Sequence, residues 1–284
     1  MLVLSLTSLR GGFCLFSIEM KVLSLIVFVL FSCRIHSYAQ QGAQNTMSLY
    51  VRTGFIQQTT HDQLLNYHNY AGNAVPINLY AWYVKSKNFI TLNLHYQAAR
   101  LEPVDLTDNY YAYNYIQHRD TELALEYFRE IARPGNYLQA YIGIQSSSHL
   151  TLQRQDYKSL LYGDSDEFRK SYAISALSFS PALLINLSLQ KNDLTFKAGH
   201  SLLHYAARPD ENYVKQTGLD SKMNWKVYGL KEYKNTFFAA VYKYEISRGF
   251  GVMAEYAATY RRYSADSEYK YLRFSYLVGV GKTF

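Results

Sequence analysis

Gly199-His200-Ser201 sets a histidine against a serine, and His204 follows shortly after. A serine and a histidine on one face of a strand can act as nucleophile and base toward an ester. Here they are adjacent, and neighbouring residues of a strand point to opposite faces. His204 shares the face of His200 if the strand is regular. Four residues at ~3.3 Å each then hold the rings ~13 Å apart, too far to share a metal ion or a proton. Both histidines read instead as residues near an outer rim. His95 stands with Asn93 and Gln97 on one face of another strand, either as a base or as part of a hydrogen-bonded interior. The acids of GDSDEF, residues 163–168, lack the ligand spacing of a calcium loop and read as solvated. No catalytic residue, metal or cofactor is expected.

The elements that would position these residues repeat one pattern. A polar triplet launches an alternating run at SKN-FITLNLHYQ from Ser86, SSS-HLTLQRQ from Ser146, KND-LTFKAGH from Lys191 and SRG-FGVMAEYA from Ser247. Period-2 alternation after a short turn is the mark of a hairpin strand with one apolar face. Between the hairpins lie longer segments at 58–75, 99–136, 159–170, 205–235 and 262–268. Short turns at one end and long loops at the other are the layout of an antiparallel up-and-down β-barrel in a membrane. About ten strands follow from this layout. One face carries Met47, Leu49, Val51, Phe55, then Ile77, Leu79, Ile90, Leu92, Leu94 and later Leu183, Ile185, Val252, Val278 and Val280. The other carries Arg52, Asn78, Asn93, His95, Gln97, Lys197, Lys243, Glu255 and Arg273. In lipid the apolar face turns outward and the polar face inward. A water-soluble β-protein would show the same alternation.

Two segments bear on the strand count. Pro181 falls within 172–190, but Leu177, Phe179, Leu183 and Ile185 stay in phase across it, so one strand is expected, with a bulge or an unpaired N–H at the proline. DTELALEYFREIA, residues 120–132, places Ala124, Tyr127, Phe128 and Ile131 on a helical stripe, with Asp120 as N-cap and Arg133-Pro134-Gly135 as stop. A short helix in an extracellular loop is expected. As a strand, Leu123, Leu125 and Tyr127 alternate too; if it is a strand and Pro181 is a turn, the count is twelve.

Tyrosine is unusually abundant, 29 of 284 residues, which suits a membrane–water boundary. Mean hydropathy is −0.21, which excludes several long apolar helical spans. Only VLSLIVFVLFSC after Lys21 is continuously apolar. With Ser37-Tyr38-Ala39 it reads as a signal peptide over 1–39, of which 1–19 is an upstream over-extension, and leaves 40–284 as the barrel. Both cysteines, Cys14 and Cys33, then precede the cleavage point; a lipid-anchored Cys33 is the alternative. The net charge of +7 comes without a Lys/Arg block, so nucleic acid is not expected as a partner and anionic head groups are.

The chain ends YLVGVGKTF. This closing strand resembles that of the small outer-membrane β-barrel proteins of Gram-negative bacteria, in particular those of the Bacteroidota type. Tyr276, Val278, Gly279, Val280 and Phe284 match the pattern, whereas Lys282 stands where that family usually has an apolar residue. The resemblance implies an assembly signal read by the barrel-assembly machinery, a place in the outer membrane among its lipids and lipopolysaccharide, and an outer-membrane partner protein.

Within such a barrel, pairing across 247–249 sets Val241 opposite Glu255, with Lys243 diagonal to it and Arg273 on the next strand. A luminal cluster of Lys243, Glu255 and Arg273, joined by Arg52 and Glu245, is expected, because unpaired charge in a narrow interior is costly. At the outer rim, Arg261, Arg262, Arg169 and Lys170 would meet lipopolysaccharide phosphates or be ordinary solvated charges. Tyr110, Tyr111, Tyr113, Asn114 and Tyr115 form a tyrosine-rich loop stretch that would bind sugars or a partner, or serve as an aromatic girdle. The expected role is non-catalytic: structural, binding or accessory. A narrow solute channel and a lipid-modifying enzyme are the alternatives.

Overall fold

The computed structural model describes residues 46–64, 66–104, 111–135, 137–159, 167–189, 191–208, 224–247, 249–264 and 268–284. The expected signal peptide, both cysteines, Tyr110, residues 163–166 and the side chains of Tyr111, Tyr113 and Arg169 lie outside what is described. Among the described residues thirteen strands run in order: β1 (Thr46–Asp62), β2 (Asn66–Ala74), β3 (Ile77–Lys85), β4 (Asn88–Pro103), β5 (Tyr111–Ala132), β6 (Leu138–Ser159), β7 (Glu167–Leu189), β8 (Asn192–His200), β9 (Leu203–Arg208), β10 (Asn224–Tyr228), β11 (Tyr233–Ser247), β12 (Phe250–Tyr263) and β13 (Tyr269–Thr283). The thirteen segments exceed the expected count of about ten, and its alternative of twelve, while the class, an all-β antiparallel up-and-down barrel, is the expected one.

Every pairing is antiparallel, and the ladder closes. From β1 it passes through β3, β4, β5, β6, β7, β8, β11, β12 and β13, and β13 pairs back onto β1. The surplus segments are interruptions. β2 and β3 both pair with β1 and β4, parted only by Val75 and Pro76, which has no N–H to give to the ladder. β8 and β9 both pair with β7, parted by Ser201 and Leu202, and β10 continues onto β9. The start of β1, the end of β13 and the short turns share one end of the barrel, and the strand ends that flank the longer connections share the other.

Two sequence-based expectations fail together. Residues 120–132 form no helix: they lie inside β5, with Asp120 paired to Gln97 on one side and Thr151 on the other. Ala124 and Phe128 belong both to a helical stripe and to the inward side of a strand, so period alone could not separate the two. Two full ladders of hydrogen bonds outweigh local helix propensity. Ser146, Ser147 and Ser148 make no turn: they run straight through β6 opposite Leu125, Ala124 and Leu123. Ser147 faces inward while Ile144 and Leu150 keep the outward phase.

Pro181 does sit within one strand, opposite Ile144. Its other neighbour is the β8–β9 break, where three residues, His200 to Leu202, face two, Ser180 and Pro181, between the pairs Ala182–Gly199 and Phe179–Leu203. This is a β-bulge, and it absorbs the missing proline donor. Leu202 and Leu203 are consequently both exposed, while Ser201 and His204 are both buried. The bulge therefore changes the face parity. His200 and His204 point to opposite sides, not to the same side as a regular strand would have them.

Outward positions are apolar near the short-turn end: Val51, Ile77, Leu125, Ile144, Leu183, Ile185, Val278 and Val280 are all exposed. β5, β6 and β7 reach 22, 22 and 23 residues. At ~3.3 Å per residue and a tilt of ~40°, such strands rise ~55 Å, roughly twice the apolar band of a membrane barrel. Their far halves turn polar outward, with Gln117, Arg119, Arg154 and Ser171.

Candidate functional site

The interior is the part of the molecule where chemistry-bearing side chains gather, and it is built in three layers. The layer nearest the short turns is aromatic. Tyr50, Tyr80, Trp82, Phe89, Phe128 and Tyr141 project inward from β1, β3, β4, β5 and β6. They pack edge to face, with ring centroids 5.9 Å apart for Tyr50 and Trp82, 5.8 Å for Trp82 and Phe89 and 6.3 Å for Phe89 and Phe128. Lys243 lies with its Nζ 4.4 Å over the Trp82 ring and 4.0 Å from Asp193.

The middle layer holds the charges, arranged as two groups. In the first, Arg52 donates from Nε to Asn78 at 2.7 Å and pairs with Glu255 at 2.5 Å. Beside it Lys197 meets Glu126 at 2.6 Å, and Gln145 donates to the same carboxylate at 2.9 Å. In the second, Arg261 and Arg273 both clasp Asp120 and Glu122. The distances are 3.3 and 2.7 Å from Arg261 and 3.4 and 3.0 Å from Arg273. Thr151 donates to Asp120 at 2.8 Å. Four cations thus face four carboxylates, and each is compensated in place. Charges held so far from water persist only when paired and hydrogen-bonded on this scale. Beside them Gln97 donates to Gln58 at 2.6 Å and to the Tyr271 hydroxyl at 2.8 Å. Asn93, His95, Glu122, Lys197, Glu255 and Arg273 border the small cavity left between them, of about 50 Å³. That is room for about one or two waters, not for a solute.

The layer nearest the long connections is again apolar and tyrosine-rich. Tyr70, Tyr228, Tyr233, Tyr263, Tyr269 and Tyr271 pack with Leu64, Leu101, Ile116 and Ile174. Tyr263 donates to the Tyr228 hydroxyl at 2.9 Å. Below this lid a buried polar string runs along the wall. Ser178 Oγ is 2.9 Å from His204 Nδ1, and the Tyr233 hydroxyl is 3.0 Å from His149 Nε2. The Ser178–His204 contact has the composition of a nucleophile and its base. Both residues are fully buried on the inward side, away from lipid and solvent. Among the described residues no cluster of three His, Cys, Asp or Glu is placed to hold a metal ion.

The expected luminal cluster is only partly assembled. Arg52 and Glu255 meet, but Lys243 does not reach Glu255; its carboxylate is Asp193. Arg273 belongs to the other group, with Asp120 and Glu122. Glu245 is exposed at the short-turn rim. His95 does sit with Asn93 and Gln97 in the lumen, 3.3 Å from Gln97 Oε1. The expected outer-rim set separates. Arg261 is 1% exposed and lies inside, not at the rim. Its neighbour Arg262 faces out and pairs with Glu268 at 3.0 Å. Lys170 is half-buried on β7. Asp120, Glu122 and Glu126 were missed because their segment was read as a loop helix. The alternation of Glu122, Ala124, Glu126 and Phe128 against Leu123, Leu125 and Tyr127 was the available signal.

On the closing strand, Tyr276, Val278, Val280 and Phe284 are exposed outward, while Gly279 faces in beneath Arg52. Lys282 rests its ammonium 5.1 Å over the Phe284 ring and 5.7 Å over Phe250, which keeps its charge at the edge of the apolar band.

A closed antiparallel ring, an apolar outer face and a charge-bearing interior define an outer-membrane-type β-barrel that crosses its bilayer with strands. No protein-family model matches the chain, and no curated protein matches it in sequence. Among solved structures it is similar to the outer membrane protease OmpT from Escherichia coli, at 13% identity over 88% of this chain and 99% of that one, with a TM-score of 0.47. It is also similar to the translocator domain of the autotransporter NalP from Neisseria meningitidis, at 11% identity over 97% of this chain and 98% of that one, with a TM-score of 0.46. The class rests on the chain's own ring and faces, not on these likenesses.

Proposed function

We propose that this protein is a non-conducting outer-membrane barrel of the Bacteroidota type, with a structural, binding or accessory role played on its outer surface. The observation that carries the reading is the filled interior. Two aromatic layers flank a middle layer whose carboxylates and cations neutralise one another, and the cavity bordered by those charges is about 50 Å³. A channel needs a continuous wet path lined by groups that a solute can leave again; here the charges of the middle layer are paired with one another. A lipid-modifying enzyme needs its nucleophile within reach of a lipid ester, whereas Ser178 and His204 are both fully buried. The long strands and their connections are what remains available for encounter.

The test is a planar-bilayer recording of the refolded barrel. No stable conductance step is expected; a reproducible open current would overturn the sealed-lumen reading. The same preparation should leave phospholipid and lipid A intact on prolonged incubation. Release of fatty acid that vanishes with Ser178→Ala would establish the enzymatic alternative instead.

A further inference from the structure

The outward residues show where the apolar belt ends on the long-loop side. On β4 the outward series runs Ile90, Leu92, Leu94, Tyr96, Ala98 and then Arg100. On β5, Leu125, Leu123 and Thr121 give way to Arg119, and on β6, Leu150 and Leu152 give way to Arg154. The far wall repeats this with Lys234 on β11, Arg262 on β12 and Lys270 on β13. On six strands, then, the first charged outward residue above the belt is a cation. That is the height at which lipid phosphates lie.

One sector of this collar is also shaped. Between β1 and β5 the outer wall carries a groove of about 630 Å³, bordered by Phe55, Val75, Ala98, Arg100, Tyr115 and Arg119. Its floor is recessed because Ala98 presents only a methyl between Phe55 on β1 and Val75 at the β2–β3 break, which are 45% and 73% exposed. Its upper edge is basic. The Arg100 guanidinium lies 3.9 Å over the Tyr115 ring, which fixes its direction and leaves its N–H edge open. Its contact with Glu102 is 3.7 Å long between side chains 59% and 71% exposed, too loose and too wet to neutralise it firmly. Arg119 is exposed, has no ion pair among the described residues, and stands one step from the Arg100–Gln117–Arg154 row across β4, β5 and β6. An apolar trough under two forked donors is complementary to an acyl chain that ends in a phosphate.

We propose that this groove is a binding site for a phosphorylated acyl lipid of the leaflet on the long-loop side, with a chain along Phe55, Val75 and Ala98 and the phosphate between Arg100 and Arg119. The inference rests on the membrane-barrel reading above, but not on the state of the lumen. Bilayer conductance tests the lumen and lipid titration tests the groove, so either can fail alone.

The experiment is native mass spectrometry of the full barrel in detergent micelles, titrated with bis-phosphorylated lipid A, with the same lipid enzymatically dephosphorylated, and with inorganic phosphate as competitor. Arg100→Ala/Arg119→Ala should weaken lipid A binding by at least about tenfold, since each arginine offers charge-assisted hydrogen bonds. Removal of the phosphates should do the same. Ala98→Phe, which fills the trough and leaves both arginines, should also weaken binding. Lys85→Ala/Lys87→Ala at the opposite end should leave it within about twofold, as expected of exposed charges away from the site. Inorganic phosphate at equal concentration should not displace the lipid. Equal affinity of the double arginine variant, equal affinity for the dephosphorylated lipid, or displacement by free phosphate would each overturn the proposal.

Discussion

Arg261 on β12 and Asp120 on β5 meet at 3.3 Å across the lumen, and their side chains are 1% and 0% exposed. Their strands are not neighbours in the ring, so the pair is a strut across the barrel rather than a stitch along its wall.

Removing one end of that strut leaves a buried charge without its counterpart. Arg261→Met should lower the stability of the barrel by about 3–5 kcal/mol. The double change Arg261→Met/Asp120→Asn should recover a large part of the loss, because Arg273 then serves Glu122 alone. Guanidinium unfolding of the refolded barrel in micelles, followed by tyrosine fluorescence, measures both. A double variant no more stable than the single one would show that the pairing is not what matters.

Phe128 is fully buried in the aromatic layer at the short-turn end, packed against Phe89. Phe128→Ala should cost about 3–5 kcal/mol through the cavity it leaves. It should remain silent in the bilayer, because the charged layer and the upper tyrosines still close the bore. Conductance from this single change would mean that the lower layer is the only seal.

A Cβ at Gly279 would meet Arg52 Cγ at 2.5 Å and the Val51 carbonyl at the same distance. The glycine on the closing strand is therefore room for Arg52 to lie flat toward Glu255. Gly279→Val should destabilise the β1–β13 seam by about 1–3 kcal/mol, as overpacking does. Gel mobility of unheated samples across a temperature series reads this as an earlier loss of the compact form.

At the outer rim, the hydrogen bond from Lys270 and the nearby Arg262 hold Glu268 below the usual carboxylate range. A depressed folded pKa adds stability above the ordinary carboxylate value, and that stability is lost as pH falls through the folded value. Glu268 is partly exposed at the rim beside two exposed cations, so Glu268→Gln should cost no more than about 1 kcal/mol at pH 7. The difference from the parent should disappear in acid. Unfolding midpoints followed from pH 7 down to pH 2 decide it; a difference with no dependence on pH would assign the effect to something other than the charge.

Much of the wall was legible in the sequence because strand alternation is local. Val51 and Arg52, or Leu94 and His95, declare their faces two residues at a time. The segment around Ala124 and Phe128 was not legible, since its spacing satisfies a helix and a strand equally, and only the ladders to β4 and β6 decide between them. The serine triplet from Ser146 has the composition of a turn, yet its neighbours Ile144 and Leu150 stay in phase, as a continuous strand requires. The Arg261–Asp120 contact depends on the register of a strand that had been misassigned. The face of His204 was lost to one extra residue at the β8–β9 bulge, which shifts side chains without changing composition.

The 22- and 23-residue strands of β5, β6 and β7 carry the hydrogen-bonded wall far beyond the bilayer. Any large body approaching that side meets a stiff palisade of paired backbone before it reaches lipid, so first contact there is with protein and not with the membrane.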